Sequence, residues 1–187
     1  ISRHPPRRTC SNGADPTVSV YIDGAFEHLY QVDPSSGVRS YEHNEIHVMD
    51  DRIRIAQIRT GTPFPSDSSP AVRYFLEDHL GNGSFTLYDT GALFSREEYF
   101  PFGETSFGSF AKKRYRFCGK ERDEESGLYY YGARYYAAWT CRFVSVDPLA
   151  GDYPFYTPYQ YAGNQPIIAI DLDGLEVDPK RANNGQE

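Results

Sequence analysis

Apolar and polar residues alternate with a period of two along much of this chain. Ile53 and Ile55 alternate with Arg52 and Arg54, the pattern of a half-buried strand. Val72, Tyr74 and Leu76 alternate likewise, as do Phe85 and Leu87. Turn signals separate these runs: Asp33-Pro34-Ser35-Ser36-Gly37, Gly81-Asn82-Gly83, Asp89-Thr90-Gly91 and Ser126-Gly127. Short strands joined by Gly, Asn and Asp turns predict successive hairpins and an all-β fold. Ser95–Phe100 and Ser109–Arg116 are the two places where short helical turns are expected. Gly61–Pro70, rich in Pro and Ser, reads as a loop. The expected organisation is an irregular segment at 1–15, hairpin repeats at 16–60, the loop at 61–70, a longer β region at 71–175, and a polar, disordered tail at 176–187. A weak repetition supports stacked strand-turn-strand units: Val32-Asp33 through Gly37-Val38, Tyr88-Asp89 through Gly91-Ala92-Leu93, and Arg122-Asp123 through Gly127-Leu128. Each places an Asp a few residues before a Gly and an aliphatic, and none buries its apolar face alone.

Composition agrees. Tyr and Phe are plentiful, at 16 and 12, against one Met and one Trp, which suits pleated surfaces. A length of 187 residues most often means one domain with a substantial core. The net charge of -7 gives no electrostatic case for nucleic acid. Lys112-Lys113-Arg114-Tyr115-Arg116 is a basic cluster, but Asp123-Glu124-Glu125 follows it, and a solvated charged surface is the expectation. No apolar run reaches the roughly 18–20 residues of a membrane span. Ile1-Ser2-Arg3-His4-Pro5-Pro6 has neither an initiator Met nor an apolar signal core, the look of a piece of something longer. Cys10, Cys118 and Cys141 are odd in number and lack a CxxC pair, which excludes a zinc ribbon or disulfide framework. Buried thiols at Cys118 and Cys141 are expected rather than a bridge. A nucleophilic Cys would need a base such as His nearby, and no His follows His79.

Candidate chemistry concentrates late in the chain. Arg134 stands in Gly132-Ala133-Arg134-Tyr135-Tyr136, Asp147 in Ser145-Val146-Asp147-Pro148, and Asp171 in Asp171-Leu172-Asp173-Gly174-Leu175. One Arg and two separated acids are the parts of a carboxylate-pair site. Carboxylates brought within about 3 Å share a proton, so one acts as base and the other as acid. Taken singly, Arg134 reads as a structural ion pair, and Asp147 before Pro148 as a turn residue. Asp171 and Asp173 flank Gly174 as a turn or weak cation loop would have them, and Asp173 competes as the second acid. His43, Glu45 and His47 alternate, so a strand places all three on one face, an arrangement able to bind zinc. They do not form the helical H-E-x-x-H motif, and the apolar run after them reads as an ordinary exposed strand face with no metal. The tyrosines from Tyr115 to Tyr161 are expected to pack the sheet and cap their hydroxyls internally rather than offer a stacking platform.

Four motifs occur in fixed order: Phe75-Leu76-Glu77-Asp78-His79-Leu80-Gly81-Asn82, Glu98-Tyr99-Phe100-Pro101-Phe102-Gly103, Arg116-Phe117-Cys118-Gly119-Lys120-Glu121-Arg122-Asp123, and Ser126-Gly127-Leu128-Tyr129 through Tyr136. From about Tyr41 to Leu175 the chain resembles the core-associated C-terminal domain of Rhs (YD-repeat) proteins, including the C components of bacterial Tc toxins. The resemblance implies strand-turn-strand repeats wound into a hollow β-shell, closed by a Tyr/Gly-rich plug. It implies an enclosed C-terminal toxin, freed by aspartyl-protease-like self-cleavage and delivered outside the cell. Asp147 and Asp171 would be the two carboxylates, Arg134 the arginine beside them, and the bond after Leu175, before Glu176, the one cut. The implied partners are upstream repeats of the same polypeptide, the toxin cargo, and a Tc-type B component or a secretion-system spike. No cofactor is implied. The chain departs from the pattern at Leu172, where a Pro is usual, at Cys141, where a turn Gly is common, and after Asp147-Pro148, where the regular glycines are missing. Because Pro fixes φ, its loss at 172 is expected to loosen presentation of the scissile bond. The alternative function is a structural or adhesive β-module that does not cleave.

Overall fold

The computed structural model describes residues 7–9, 16–22, 24–50, 53–65, 67–108, 113–175 and 177–178, and for 7–9 and 177–178 the backbone alone. Among these residues regular structure is strand, with helix limited to 3-10 turns at Phe117–Gly119, Ala138–Thr140 and Ala162–Asn164. The chain divides into two compact units, Ile1–Phe75 with Thr86–Phe94, and Leu76–Phe85 with Ser95–Glu187, where the length alone suggests one domain.

The first unit is an antiparallel ladder. Strands β1 (Arg7–Thr9), β2 (Thr17–Ile22), β3 (Phe26–Val32), β4 (Arg39–Asp50) and β5 (Ile53–Gly61) pair in sequence order, and Val72–Tyr74 of β6 (Val72–Glu77) pairs with β5. Strand β1 lies within the stretch expected to be irregular. The remainder of that stretch, Cys10 included, lies outside the described residues. The β3–β4 turn is closed by Asp33, whose Oδ1 accepts from Ser35 N at 2.8 Å and Ser36 N at 3.2 Å, as an Asx turn does.

The expected alternation is present, but the covered face is the polar one. Arg54 is 7% exposed, whereas Ile53 and Ile55 are 44% and 42% exposed. His43, Glu45 and His47 are buried, contrary to the exposed face expected for them, and Ile46 and Val48 point out. Periodicity fixes which residues share a face and says nothing of which face is covered. Covering comes in part from the loop after β5. The Phe64 ring lies tilted against the His43 ring, centres 4.5 Å apart, and Arg59 holds Asp67 at 2.6 Å and the Ser69 carbonyl at 2.8 Å.

After β7 (Gly83–Tyr88), β8 (Leu93–Tyr99) pairs with β9 (Thr105–Gly108), so Ser95–Tyr99 of the expected helical turn is strand. The reason is the buried Glu97. It sits 3.6 Å from Lys113 Nζ, bonds Arg116, and accepts from the Tyr99 hydroxyl at 2.7 Å. Lys113 and Arg116 are therefore paired inside the second unit rather than solvated, and Arg114 meets Glu121 at 2.8 Å. Residues 109–112 of the second expected helical turn lie outside the described residues.

Strands β10 (Glu121–Arg122), β11 (Tyr129–Tyr130), β12 (Tyr135–Ala137) and β13 (Arg142–Phe143) form an antiparallel meander over an aromatic core. Phe117, Tyr129, Tyr131, Tyr136, Phe143 and Tyr161 pack there. Burying a phenol without a partner is costly, and these hydroxyls are capped internally as expected. Tyr131 donates to Tyr161 at 2.9 Å, and Tyr136 donates to the Phe102 carbonyl at 2.7 Å. Cys118 and Cys141 are free thiols, the first buried and in contact with Tyr161 at 3.2 Å, the second only half-buried. Cys141 adopts φ +58°, the left-handed conformation that favours Gly and explains the turn Gly common there. Finally β14 (Ile170–Asp171) pairs with β15 (Val177–Asp178), which puts strand inside the tail expected to be disordered.

Candidate active site

Three segments of the second unit converge on Arg134. The β11–β12 turn carries it. Gly132 in that turn has φ +105°, and a Cβ there would lie 3.0 Å from the Asp173 carbonyl oxygen. Gly174 approaches from the other side with φ +85°, where a Cβ would meet Arg134 N at 3.0 Å. Glycine at both positions lets the two backbones touch. The Ala133 N–H then donates to the Asp173 carbonyl at 2.9 Å.

Asp147 arrives from the loop after β13. Its N–H donates to the Pro158 carbonyl at 2.9 Å, and its Oδ1 accepts from Leu149 N at 2.8 Å. That is the turn role its place before Pro148 suggests, and it leaves Oδ2 to meet Arg134 Nη2 at 3.0 Å. Asp171, at the end of β14, is 2% exposed. Its Oδ1 accepts from Gly174 N at 2.6 Å and Asp173 N at 3.2 Å, and its Oδ2 lies 3.5 Å from the same Arg134 Nη2. One guanidinium nitrogen thus sits between the two acids. No hydrogen bond joins the carboxylates to each other among the described residues, so the proton-sharing contact considered from the sequence is replaced by a shared arginine. Asp173 is exposed and turned to Leu175 N, which donates to its Oδ1 at 3.1 Å, so of the two competing acids Asp171 is the one beside Arg134.

Arg134 is itself over-determined. Its Nε donates to the Gly174 carbonyl, its Nη1 to the Pro158 carbonyl at 3.2 Å, and its guanidinium lies 3.8 Å from the Phe143 ring centre. Such a clamp fixes a charged plane that would otherwise be costly to bury. Sequence reasoning did not find Phe143, Pro158 or Gly174 as its partners. Phe143 stands four residues before Asp147, but in a chain so rich in aromatics that spacing carries no signal.

Burial pushes the Asp171 carboxyl up from 3.8 to about 6, against the pull of the two backbone donors and Arg134. The two acids are therefore unlike: Asp171 is buried and proton-retaining, while Asp147 is half-buried and in closer contact with the cation. Arg134, Asp147, Asp171 and Leu175 line a cavity of about 200 Å³, walled by Tyr153 and Tyr156. The antiparallel pairing Asp171↔Val177 turns the chain back after Leu172–Leu175. Leu172 packs against the aromatic core and its carbonyl accepts from Lys120 Nζ, so this segment is tethered without the usual Pro. Glu176 lies outside the described residues.

No family model matches the chain. Known proteins do. It is 40% identical over 110 residues to the toxin subunit YenC1 of Yersinia entomophaga, covering 56% of this chain and 11% of that one. It is 36% identical over 138 residues to the toxin protein Tse5 of Pseudomonas aeruginosa, covering 67% of this chain and 10% of that one. Its fold matches the crystal structure of TcdB2-TccC3 with a TM-score of 0.76 at 29% identity, over 91% of this chain and 8% of that one. The chain therefore spans about a tenth of the relatives it matches.

Proposed function

We propose that this chain, which belongs to the core-associated region of the Rhs (YD-repeat) family found in Tc toxin C components, closes a toxin-enclosing β-shell and cuts itself after Leu175. The observation that carries the proposal is one buried arginine held against two unlike carboxylates beside the loop that follows Asp171. Asp147 serves as the base and Asp171 as the acid. A water in the cavity gives its proton to Asp147 and attacks the Leu175 carbonyl carbon, while Asp171 protonates the carbonyl oxygen. Collapse of the tetrahedral intermediate returns a hydroxyl proton to Asp171 and breaks the C–N bond, and the amine of Glu176 leaves with the proton from Asp147. The products are a Leu175 carboxyl and a free Glu176 amine.

Self-cleavage needs one turnover, so the held geometry matters more than speed. Fixing the scissile bond near both acids removes most of the entropy cost of bringing reactants together. Arg134 holds Asp147 in place through Nη2, 3.0 Å from Oδ2, beside the second acid. The released segment would be the start of a C-terminal toxin, and the partners would be upstream repeats, that cargo, and a Tc-type B component or secretion-system spike. Delivery would be outside the producing cell. No helix of the described residues is long and apolar enough to cross a membrane.

A time course tests the cleavage. The chain carrying a C-terminal affinity tag is synthesised in a cell-free reaction and followed by gel. Loss of the tag from the wild type, with Asp147→Asn and Asp171→Asn each retaining it, is the expected result. Equal tag loss in wild type and both variants would assign the cut to a contaminating protease. Full retention in the wild type would leave a non-cleaving shell module.

A further inference from the structure

Glu27 and Glu45 face each other directly across β3 and β4 in the first unit. Both are buried, at 1% and 5% exposure. Like charges directly opposite on neighbouring strands repel, and burial raises the cost of each charge. Two residues further along the same face of β4, His47 brings its Nε2 to 2.9 Å from Glu27 Oε1. One ligand atom from each of these three side chains lies within 4.8 Å of the others. His43 stands on the opposite side of Glu45, with Nε2 3.9 Å from Glu45 Oε1.

We propose that Glu27, Glu45 and His47 form a zinc site that pins β3 to β4, with a water as the fourth ligand. Zinc takes carboxylate oxygen and imidazole nitrogen at about 2.0–2.2 Å in a tetrahedron, so its ligand atoms stand about 3.4 Å apart. Reaching that spacing from within 4.8 Å needs at most about 1.4 Å of closure, while the 2.9 Å His47–Glu27 contact opens by about 0.5 Å. A divalent cation cancels the two facing carboxylates, and the N/O donor set suits zinc over calcium or magnesium. The Gln57 side-chain amide donates to Glu45 Oε2, the outer contact that orients a ligating carboxylate. Arg73, 3.4 Å from Glu45 Oε1, and a protonated His47, 2.9 Å from Glu27 Oε1, compete to neutralise the carboxylates.

The test uses the full chain without a polyhistidine tag, purified without immobilised metal. Elemental analysis is expected to find about one zinc per chain, and a chelator to lower the melting temperature. Zinc titrated into the stripped chain restores it. Glu27→Gln and His47→Gln lose zinc binding. Gln57→Ala, which keeps all three ligands, weakens it about 10–100-fold. If Arg73 and protons neutralise the cluster instead, the chain takes up no stoichiometric zinc, chelation changes nothing, and Glu27→Gln raises the melting temperature by relieving the facing charges. Any of those results overturns the site, and the wild-type zinc content decides even where a variant fails to fold.

Discussion

Replacing Asp171 by Asn exposes the energetic consequence of burying a proton-retaining acid. Asn preserves the side-chain oxygen that accepts from Gly174 N and Asp173 N. It removes the charge and the titration. In the folded chain this carboxyl titrates near 6, against 3.8 for an ordinary Asp. Between those values the folded chain keeps a proton that the unfolded chain has released. Stability therefore falls as pH rises from about 4 to about 6, then stays level. At about 1.4 kcal/mol per pH unit, the penalty at neutral pH is about 3 kcal/mol. Asn carries none of this cost, and the attraction of the ionised carboxyl to Arg134 is already contained in the value near 6. The Asn chain should thus gain about 3 kcal/mol on the wild type between pH 4 and pH 7. Urea unfolding at a series of pH values measures the gain, with each sample checked intact by mass beforehand. A gap that stays constant over this range would refute the reasoning. A gap that moves the other way would show that Arg134 and the backbone donors outweigh burial.

The same titration sets the rate. Self-cleavage that needs protonated Asp171 should slow about tenfold per pH unit above 6, and a rate rising through that range would rule Asp171 out as the acid. Arg134→Ala leaves two acids in a buried pocket without their cation and should cost about 3–5 kcal/mol and abolish cleavage; chemical denaturation and the tag-loss time course read the two effects. Gly174→Ala places a Cβ against Arg134 N at φ +85° and should cost about 1–3 kcal/mol, read by thermal melting, whereas an unchanged melt would mean the loop shifts freely.

Much of this was legible in the residues, and the failures share one cause. The alternations of β5 and β6 and the Asx turn at Asp33 announced the β fold locally. Arg134, Asp147 and Asp171 could be singled out because their surrounding motifs are unusual, and the geometry brings all three to one nitrogen. What could not be read was anything set by which face becomes covered. Ile53 and Ile55 look like core residues and Arg54 like a surface one until Phe64 and its neighbours cover the opposite side. Glu97 sits in a run of helix-favouring residues, yet its buried pairing with Lys113 and Arg116 imposes a strand. Glu27 gave no sign of its place beside His47, because that contact depends on the β3–β4 register. Phe143 and Pro158 likewise reach Arg134 only through tertiary packing.

The bond itself is the most direct point of test. Intact-mass measurement on freshly made wild-type chain, taken before and after the tag is lost, identifies both new ends. The expected result is one fragment ending in a free carboxyl at Leu175 and one beginning with a free amine at Glu176, their masses summing to the parent plus one water. A wild-type chain that keeps its parent mass, or one cut at any other bond, would contradict it.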